Sequence, residues 1–188
     1  CKTGRPLPLV DLRVVDKEMN DVETDGTGVG EIVVRAPWLT QGYLKDNRNS
    51  EKLWEHGYLH TGDVANIDEN NYIMITDRMK DVIKIGGEWL SSLELEDIIN
   101  LYPGVSEVAV IGMNDPKWGE KPLALVVAKE GQQKPEPKDI VAHVKSFIDK
   151  GLMSKLALLM KVELVDQIEK TSVGKINKRR LRETLKSC

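Results

Sequence analysis

Cysteines, aromatic residues and long apolar runs are all scarce in this chain. The 188 residues include 2 cysteines, Cys1 and Cys188, so the sequence supports neither a disulfide framework nor a zinc site, and a reducing cytoplasm is the expected location. No apolar run approaches the roughly 20 residues of a membrane span. The first residues lack the charged and apolar regions of a signal peptide. Because the chain begins with Cys1 rather than Met, we expect it to be part of a longer protein.

Charge and composition narrow the class of protein further. The net charge of -3 gives no general attraction to nucleic acid or anionic membrane, so a nucleic-acid partner is not expected. A hydrophobic fraction of 40% with 30% charged residues is typical of globular domains. The length suffices for one domain or two small ones with a real core.

The chain divides by pattern near residue 80. Residues 1–79 contain short β-like runs separated by turns, which predicts a small, twisted, barrel-like β-rich subdomain. Residues 80–188 alternate strands and helices, which predicts a small α/β domain and an α+β chain overall. The main predicted elements are strands at 12–15, 31–35, 64–67, 72–75, 107–111, 123–127 and 162–165, a hairpin turn at 68–71, a polar loop at 114–122, and helices from about 49, 92, 138 and 175. The second helix is predicted from a Ser91 cap followed by apolar residues at helical spacing, Leu95, Ile98, Ile99 and Tyr102. The third is predicted over 138–150 from the apolar face of Ile140, Val141, Val144 and Ile148.

Three motifs carry most of the information about function. They are Gly57–Asp63 (GYLHTGD), the segment Asp77–Gly87 with its charge alternation and Gly-Gly break, and Lys170–Ile176 (KTSVGKI). In this order and spacing they resemble the C-terminal part of adenylate-forming enzymes, the superfamily of acyl-CoA synthetases, peptide-synthetase adenylation domains and luciferases. The runs 86–92 and 116–118 resemble the subgroup that activates medium- and long-chain fatty acids.

Asp63 and Arg78 are the candidate nucleotide-binding residues. A carboxylate held after the Thr-Gly pair can accept hydrogen bonds from both hydroxyls of a ribose, and the resemblance implies that role for Asp63. The alternative is a turn aspartate that binds its own backbone. The resemblance places Arg78 beside the same ribose, where its rigid fork can donate to oxygens. The alternative for Arg78 is a surface ion pair with Asp77 or Asp81, which contributes little.

The resemblance also implies a hinge at Lys80 and a coenzyme A loop just after it. A hinge must absorb a large backbone change and stay solvated, which suits a charged, unbranched side chain. In the family, the loop with Lys84, Gly86 and Gly87 lines the pantetheine path for the thioester step, and Trp89 lies near that path. The alternatives are a simple Gly-Gly turn and a core-packing role for Trp89.

Lys175 is the candidate catalytic residue. The resemblance makes it the adenylation lysine, whose point charge lowers the barrier to carboxylate attack on an α-phosphate. The Gly-Lys pair is not a phosphate-binding P-loop, because Ile176 stands where that motif has Ser or Thr. The basic cluster at 178–182 is interpreted as a solvated helix face rather than a nucleic-acid patch.

The implied activity is that of a fatty acyl-CoA ligase, with ATP, AMP and coenzyme A as substrates and product. Magnesium would accompany the ATP phosphates, and no metal ligand is expected in this chain. The phosphate loop, the acyl pocket and any homodimer contact are expected in a large N-terminal domain upstream, so this chain alone should be inactive. Two alternatives stay open: an adenylating ligase for an aryl or amino acid, and a non-catalytic module that binds a nucleotide or a partner protein.

Overall fold

The computed structural model describes residues 2–185, which form two compact units, Cys1–Lys80 and Asp81–Cys188. The two cysteines, Cys1 and Cys188, lie outside the described residues. Within the described part of the chain, no helix is long and apolar enough to cross a membrane.

The first unit is built on an open antiparallel sheet. Its elements are β1 (Asp11–Val15), β2 (Val29–Arg35), α1 (Asn47–Leu53), a 3₁₀ turn (Glu55–Gly57), β3 (Leu59–Ile67) and β4 (Ile73–Arg78). The four strands lie in the order β1-β2-β3-β4, so each pairs with its neighbour in sequence. The predicted barrel-like closure is wrong for residues 2–80, because β1 and β4 end the sheet and four strands are too few to close one.

The hairpin between β3 and β4 confirms the predicted turn at residues 68–71. Asp68 stabilises it, because its Oδ1 accepts hydrogen bonds of 2.9 Å from the backbone N–H groups of Asn70 and Tyr72. Below this hairpin, one face of the sheet buries a small core of Val14, Ile32, Ala65, Ile67 and Ile73. The core fixes which strand residues point outward, including those of the site described below.

The second unit places three helices against a five-stranded sheet. Its elements are β5 (Ile83–Ile85), β6 (Glu88–Leu90), α2 (Ser92–Asn100), β7 (Val105–Asp115), β8 (Gly119–Ala128), α3 (Pro137–Asp149), a 3₁₀ turn (Lys155–Leu159), β9 (Lys161–Leu164) and α4 (Lys178–Leu185). The strand order is β6-β5-β8-β7, and β9 pairs with β8 as the one parallel partner among the described strands. The chain is therefore α+β, as predicted.

Helices α2 and α3 follow the predicted apolar spacing. Ser91 caps α2, because its hydroxyl accepts a 3.1 Å hydrogen bond from the N–H of Glu94. Ile140, Val144 and Ile148 recur at four-residue intervals along α3 and are buried in the main core.

Two predicted boundaries in the second unit are wrong. The region 114–122 is not a polar loop, because β7 continues to Asp115 and β8 begins at Gly119, which leaves a three-residue connection. An ion pair of 2.7 Å between Lys121 and Asp115 links the two strands at this end of the hairpin. The strand ends are therefore polar and lack the apolar residues from which a strand is usually predicted. The last helix begins at Lys178 rather than near Lys175, because residues 170–176 form a tight hairpin loop instead.

Candidate functional site

Asp63 and Arg78 lie directly opposite each other on β3 and β4. Arg78 Nε is 3.3 Å from Asp63 Oδ1, and the two side chains are 63% and 28% exposed. An ion pair this open to water adds little to stability. The pair therefore presents a carboxylate and a guanidinium side by side at the surface, where both can bind a polar ligand.

A distortion of β3 brings Asp63 to this place. Between Val33↔His60 and Glu31↔Val64, β2 advances two residues while β3 advances four. The extra backbone holds Gly62 at φ +70°, a conformation that glycine adopts without strain. The segment 59–67 is thus one strand with a bulge, rather than the predicted strand end and turn.

Glu31 holds that bulge, a role that sequence reasoning missed. Its Oε1 accepts the Gly62 N–H at 3.0 Å, and its Oε2 lies 2.9 Å from His60 Nδ1. The Thr61 hydroxyl accepts the Asp63 N–H at 3.1 Å. In the described residues, the Asp63 carboxylate is thus paired with Arg78 and not with the backbone of a turn. A cleft of about 480 Å³ opens beside the bulge, with Glu31, His60, Thr61 and Gly62 in its wall.

The segment after β4 carries the residues predicted to join the two halves. Asp77 is buried, and its carboxylate accepts the Arg78 N–H at 2.7 Å. Lys80 is exposed and is the last residue of the first unit. Asp81 pairs with Arg182 at 2.9 Å inside the second unit, so it is not the partner of Arg78. The hinge role of Lys80 stays a prediction.

Lys84, Gly86, Gly87 and Trp89 all lie on the β5–β6 hairpin. Ile85 pairs with Glu88, so the two glycines form a two-residue turn, with φ of +59° and +96°. Positive φ at both central residues is the geometry that selects glycine in tight hairpins. Lys84 is exposed opposite the half-buried Trp89. The turn connects two short strands, and the structure leaves the Lys84 ammonium group in solvent.

The β7–β8 connection lies against this turn. Asp115 organises the connection, because its Oδ1 accepts the N–H groups of Lys117 at 2.9 Å and Trp118 at 3.0 Å. The hydrogen bond from Lys121 holds the pKa of Asp115 below its ordinary value, with those two backbone donors adding to the effect and burial opposing it. The carboxylate is therefore ionised at neutral pH and keeps the connection in shape.

Lys175 lies in a hairpin loop just before α4. Lys170 pairs with Ile176, the Thr171 N–H donates to the Lys175 carbonyl at 2.7 Å, and the Lys175 N–H donates to the Thr171 hydroxyl at 3.2 Å. The backbone of Lys175 is thus held from both sides while its side chain is exposed. Lys175 forms no ion pair with any residue between 2 and 185. A lysine side chain on a loop whose backbone is held by hydrogen bonds is suited to binding an anion.

Helix α4 is attached to the rest of its unit by ion pairs, so the prediction of a solvated basic face is wrong for Lys178 and Arg182, whereas Arg179 and Arg180 are exposed as predicted. Lys178 lies 2.7 Å from Glu96, with side chains only 11% and 10% exposed, and also donates to the Ser92 hydroxyl at 2.8 Å. Arg182 holds Asp81 in a second pair. The signal was present, since Lys178, Leu181 and Arg182 share one helical face by their i, i+3 and i+4 spacing.

Residues 2–185 contain no recognisable cluster of metal ligands. No group of three or more His, Cys, Asp or Glu side chains comes together there in a way that could hold an ion. The described residues therefore do not fit a resident metal.

A family model and several known proteins match this chain. Residues 94–175 match the family described as AMP-binding enzyme C-terminal domain. The chain is 42% identical over 188 residues to a long-chain-fatty-acid–CoA ligase of Thermus thermophilus, covering 100% of this chain and 34% of that protein. It is 41% identical over 187 residues to a 3-methylmercaptopropionyl-CoA ligase of Ruegeria lacuscaerulensis, covering 98% of this chain and 33% of that protein.

A solved structure agrees with the sequence comparisons. ATP-bound MatB from Rhodopseudomonas palustris superposes with a TM-score of 0.81 at 32% identity, over 98% of this chain and 36% of that one. The chain therefore spans about a third of the length of the relatives that it matches.

Proposed function

Because this chain belongs to the adenylate-forming enzymes and contains their AMP-binding C-terminal domain, we propose that it is the C-terminal part of a fatty acyl-CoA ligase. A fatty-acid carboxylate oxygen attacks the α-phosphorus of ATP, and pyrophosphate leaves. The sulfur of coenzyme A then attacks the acyl carbonyl carbon, its proton is lost, and AMP leaves. The observation that carries the proposal is the exposed Asp63–Arg78 pair.

That pair provides a site for the nucleotide in the first unit. The Asp63 carboxylate has oxygens free to accept hydrogen bonds from the 2′- and 3′-hydroxyls of the ribose. The Arg78 guanidinium keeps several N–H donors beyond the one near Asp63, and these can bind ribose or phosphate oxygens. Glu31 supports the site through the Gly62 N–H, which fixes the backbone just before Asp63.

Lys175 supplies the charge for adenylation. In the attack, two anions approach each other and negative charge develops on the phosphoryl oxygens. A preorganised cation directed at those oxygens lowers the barrier electrostatically. The backbone hydrogen bonds between Thr171 and Lys175 hold the loop, so the side chain is the part that must adjust.

The β5–β6 turn serves the thioester step. Gly86 and Gly87 carry no side chains, so the pantetheine arm can approach their backbone closely. Lys84 and Trp89 flank the turn and offer a cation and an indole to the cofactor arm. Rotation about Lys80 presents Lys175 for the first step and the turn for the second.

The rest of the enzyme completes the reaction. We place the acyl pocket, the phosphate loop and any dimer contact in the remainder of the protein, since this chain covers only about a third of the length of its relatives. Magnesium bound to the ATP phosphates would neutralise their charge, with protein ligands outside the residues described here. The cytoplasmic location stays a prediction.

A substrate panel tests the acid class. The two relatives at 42% and 41% identity are named for different acids, so similarity to them does not by itself select the acid. In the intact enzyme, fatty acids should give the highest kcat/KM for ATP–pyrophosphate exchange and for acyl-CoA formation. Preferential turnover of aryl or amino acids would replace the fatty-acid assignment. Absence of exchange with every acid would support a non-catalytic binding module.

The isolated chain provides a second test. Residues 1–188 alone should form no acyl-CoA from fatty acid, ATP and coenzyme A, because the proposed acyl pocket is not among them. The measurement is thioester formation by mass spectrometry, with the intact enzyme as the positive control. Acyl-CoA synthesis by residues 1–188 would contradict the proposed division between the two parts.

A further inference from the structure

The end of the β7–β8 hairpin, here called the hairpin tip (Asp115–Glu120), holds the β5–β6 turn by two hydrogen bonds. The Gly86 N–H donates to the Trp118 carbonyl at 2.8 Å. The Lys84 N–H donates to Glu120 Oε2 at 2.8 Å. Both donors belong to the β5–β6 hairpin, one in β5 and one in its turn, and both acceptors belong to the tip, although the two segments are more than thirty residues apart.

Trp118 adds a packing contact to these bonds. A Cβ built on Gly86 would lie 3.5 Å from Trp118 Cε3, so the indole ring lies beside this glycine. Trp118 also packs against the main core of the unit. Trp118 therefore contacts both the core and the turn. We expect its indole ring to help fix the position of Gly86.

The Glu120 carboxylate accepts a hydrogen bond from the backbone of another strand. It is partly buried, and within residues 2–185 it forms no ion pair. Its Oε2 instead accepts a backbone N–H of β5, a strand of three residues. A strand this short has few ladder hydrogen bonds of its own, so an added charge-assisted hydrogen bond is a large share of what holds it.

We infer that the hairpin tip positions the β5–β6 turn for the coenzyme A step, with Glu120 and Trp118 as positioning residues. The inference rests on the proposed role of that turn in thioester formation. A turn that guides a long, flexible substrate arm must hold its backbone within a fraction of an ångström. The tip provides this because Asp115 has already ordered its backbone.

The test separates the two half-reactions in the intact enzyme. Replacement Glu120→Ala should slow thioester formation from supplied acyl-adenylate and coenzyme A by about 10- to 100-fold, the range expected for misplacement by about an ångström. ATP–pyrophosphate exchange should stay within about twofold, because Lys175, the proposed adenylation lysine of this unit, belongs to a different loop. Glu120→Gln should restore most of the thioester rate, since its amide oxygen can still accept the Lys84 N–H.

Amide hydrogen exchange gives a readout that does not depend on activity. The Lys84 N–H should be protected in the parent chain and in Glu120→Gln, and should lose protection in Glu120→Ala. Trp118→Phe should keep the ring against Gly86 and most of the thioester rate, whereas Trp118→Ala should lower it. The matched control is Glu163→Ala, because Glu163 is a partly exposed carboxylate of the same sheet paired with Lys161 at 2.7 Å. This control should change neither step.

Three outcomes would overturn the inference: an unchanged thioester rate in Glu120→Ala, an equal loss in both half-reactions, or a loss in Glu163→Ala as large as in Glu120→Ala. The replacement Gly86→Val distinguishes this failure from failure of the proposed function. If Gly86→Val abolishes thioester formation while Glu120→Ala does not, the positioning role alone is wrong. If Gly86→Val has no effect, the proposed role of the turn is wrong.

Discussion

Replacing Glu96 by alanine should lower the free energy of unfolding of the second unit by about 3–5 kcal/mol, the cost of breaking a buried ion pair from one side. Glu96 Oε1 lies 2.7 Å from Lys178 Nζ and also accepts the Val110 N–H at 2.7 Å. Removal of this carboxylate leaves a nearly buried ammonium group without its counterion and a buried strand N–H without its acceptor. Helix α4, strand β7 and helix α2 share this single group, so one substitution loosens all three.

Urea denaturation of the chain followed by circular dichroism measures the effect. The matched control is Glu183→Ala on α4, the helix of Lys178, because the Arg179–Glu183 pair is 89% and 61% exposed and should contribute only about 0.3–0.5 kcal/mol. A double replacement, Glu96→Leu with Lys178→Met, should recover much of the stability because it removes both charges together. Equal losses of unfolding free energy in Glu96→Ala and Glu183→Ala would contradict a large contribution of the Glu96–Lys178 pair to stability.

Replacing Lys175 by alanine in the intact enzyme should lower the adenylation rate by about 100- to 1,000-fold, as for the loss of one preorganised group that stabilises transition-state charge. Thioester formation from supplied acyl-adenylate should survive, because that attack is at the acyl carbonyl carbon and the proposed rotation presents the β5–β6 turn, rather than Lys175, for this step. The loop itself should persist, since its hydrogen bonds run through the backbone and Thr171. The measurement is single-turnover kinetics of each half-reaction.

The control for Lys175→Ala is Lys134→Ala, which removes an equally exposed lysine from a different loop. This control should leave both half-reactions unchanged and exclude a general effect of net charge. An equal loss in both half-reactions of Lys175→Ala would contradict the division of labour between Lys175 and the β5–β6 turn. An unchanged adenylation rate would remove Lys175 from the catalytic machinery.

Sequence alone predicted the elements whose signals are local. The β3–β4 hairpin follows from two apolar runs around a polar turn, and the α2 start follows from the Ser91 cap. The spacing of Ile140, Val144 and Ile148 predicted α3 to within a residue at each end. These features depend on residues a few positions apart, so their causes lie inside a short window of the sequence.

Features that depend on pairing across the fold were missed. The interval 114–122 was interpreted as a loop because its residues are polar, yet its backbone is paired along a long hairpin. The basic residues after Lys175 were interpreted as one solvated face, yet Lys178 pairs with the buried Glu96 and Arg182 with the partly buried Asp81. In both cases a polar residue has a polar partner that the sequence places far away.

The sequence by itself therefore determined the two-part α+β organisation, the positions of the three motifs and the family resemblance that they carry. The tertiary structure decided which of these residues meet. It set Asp63 against Arg78 across two strands, placed Glu120 on the Lys84 N–H, and joined Lys178 to Glu96 over 82 positions. The physical reason is that helices and turns form from neighbouring residues, whereas these contacts form only after strand register and helix packing have brought distant segments together.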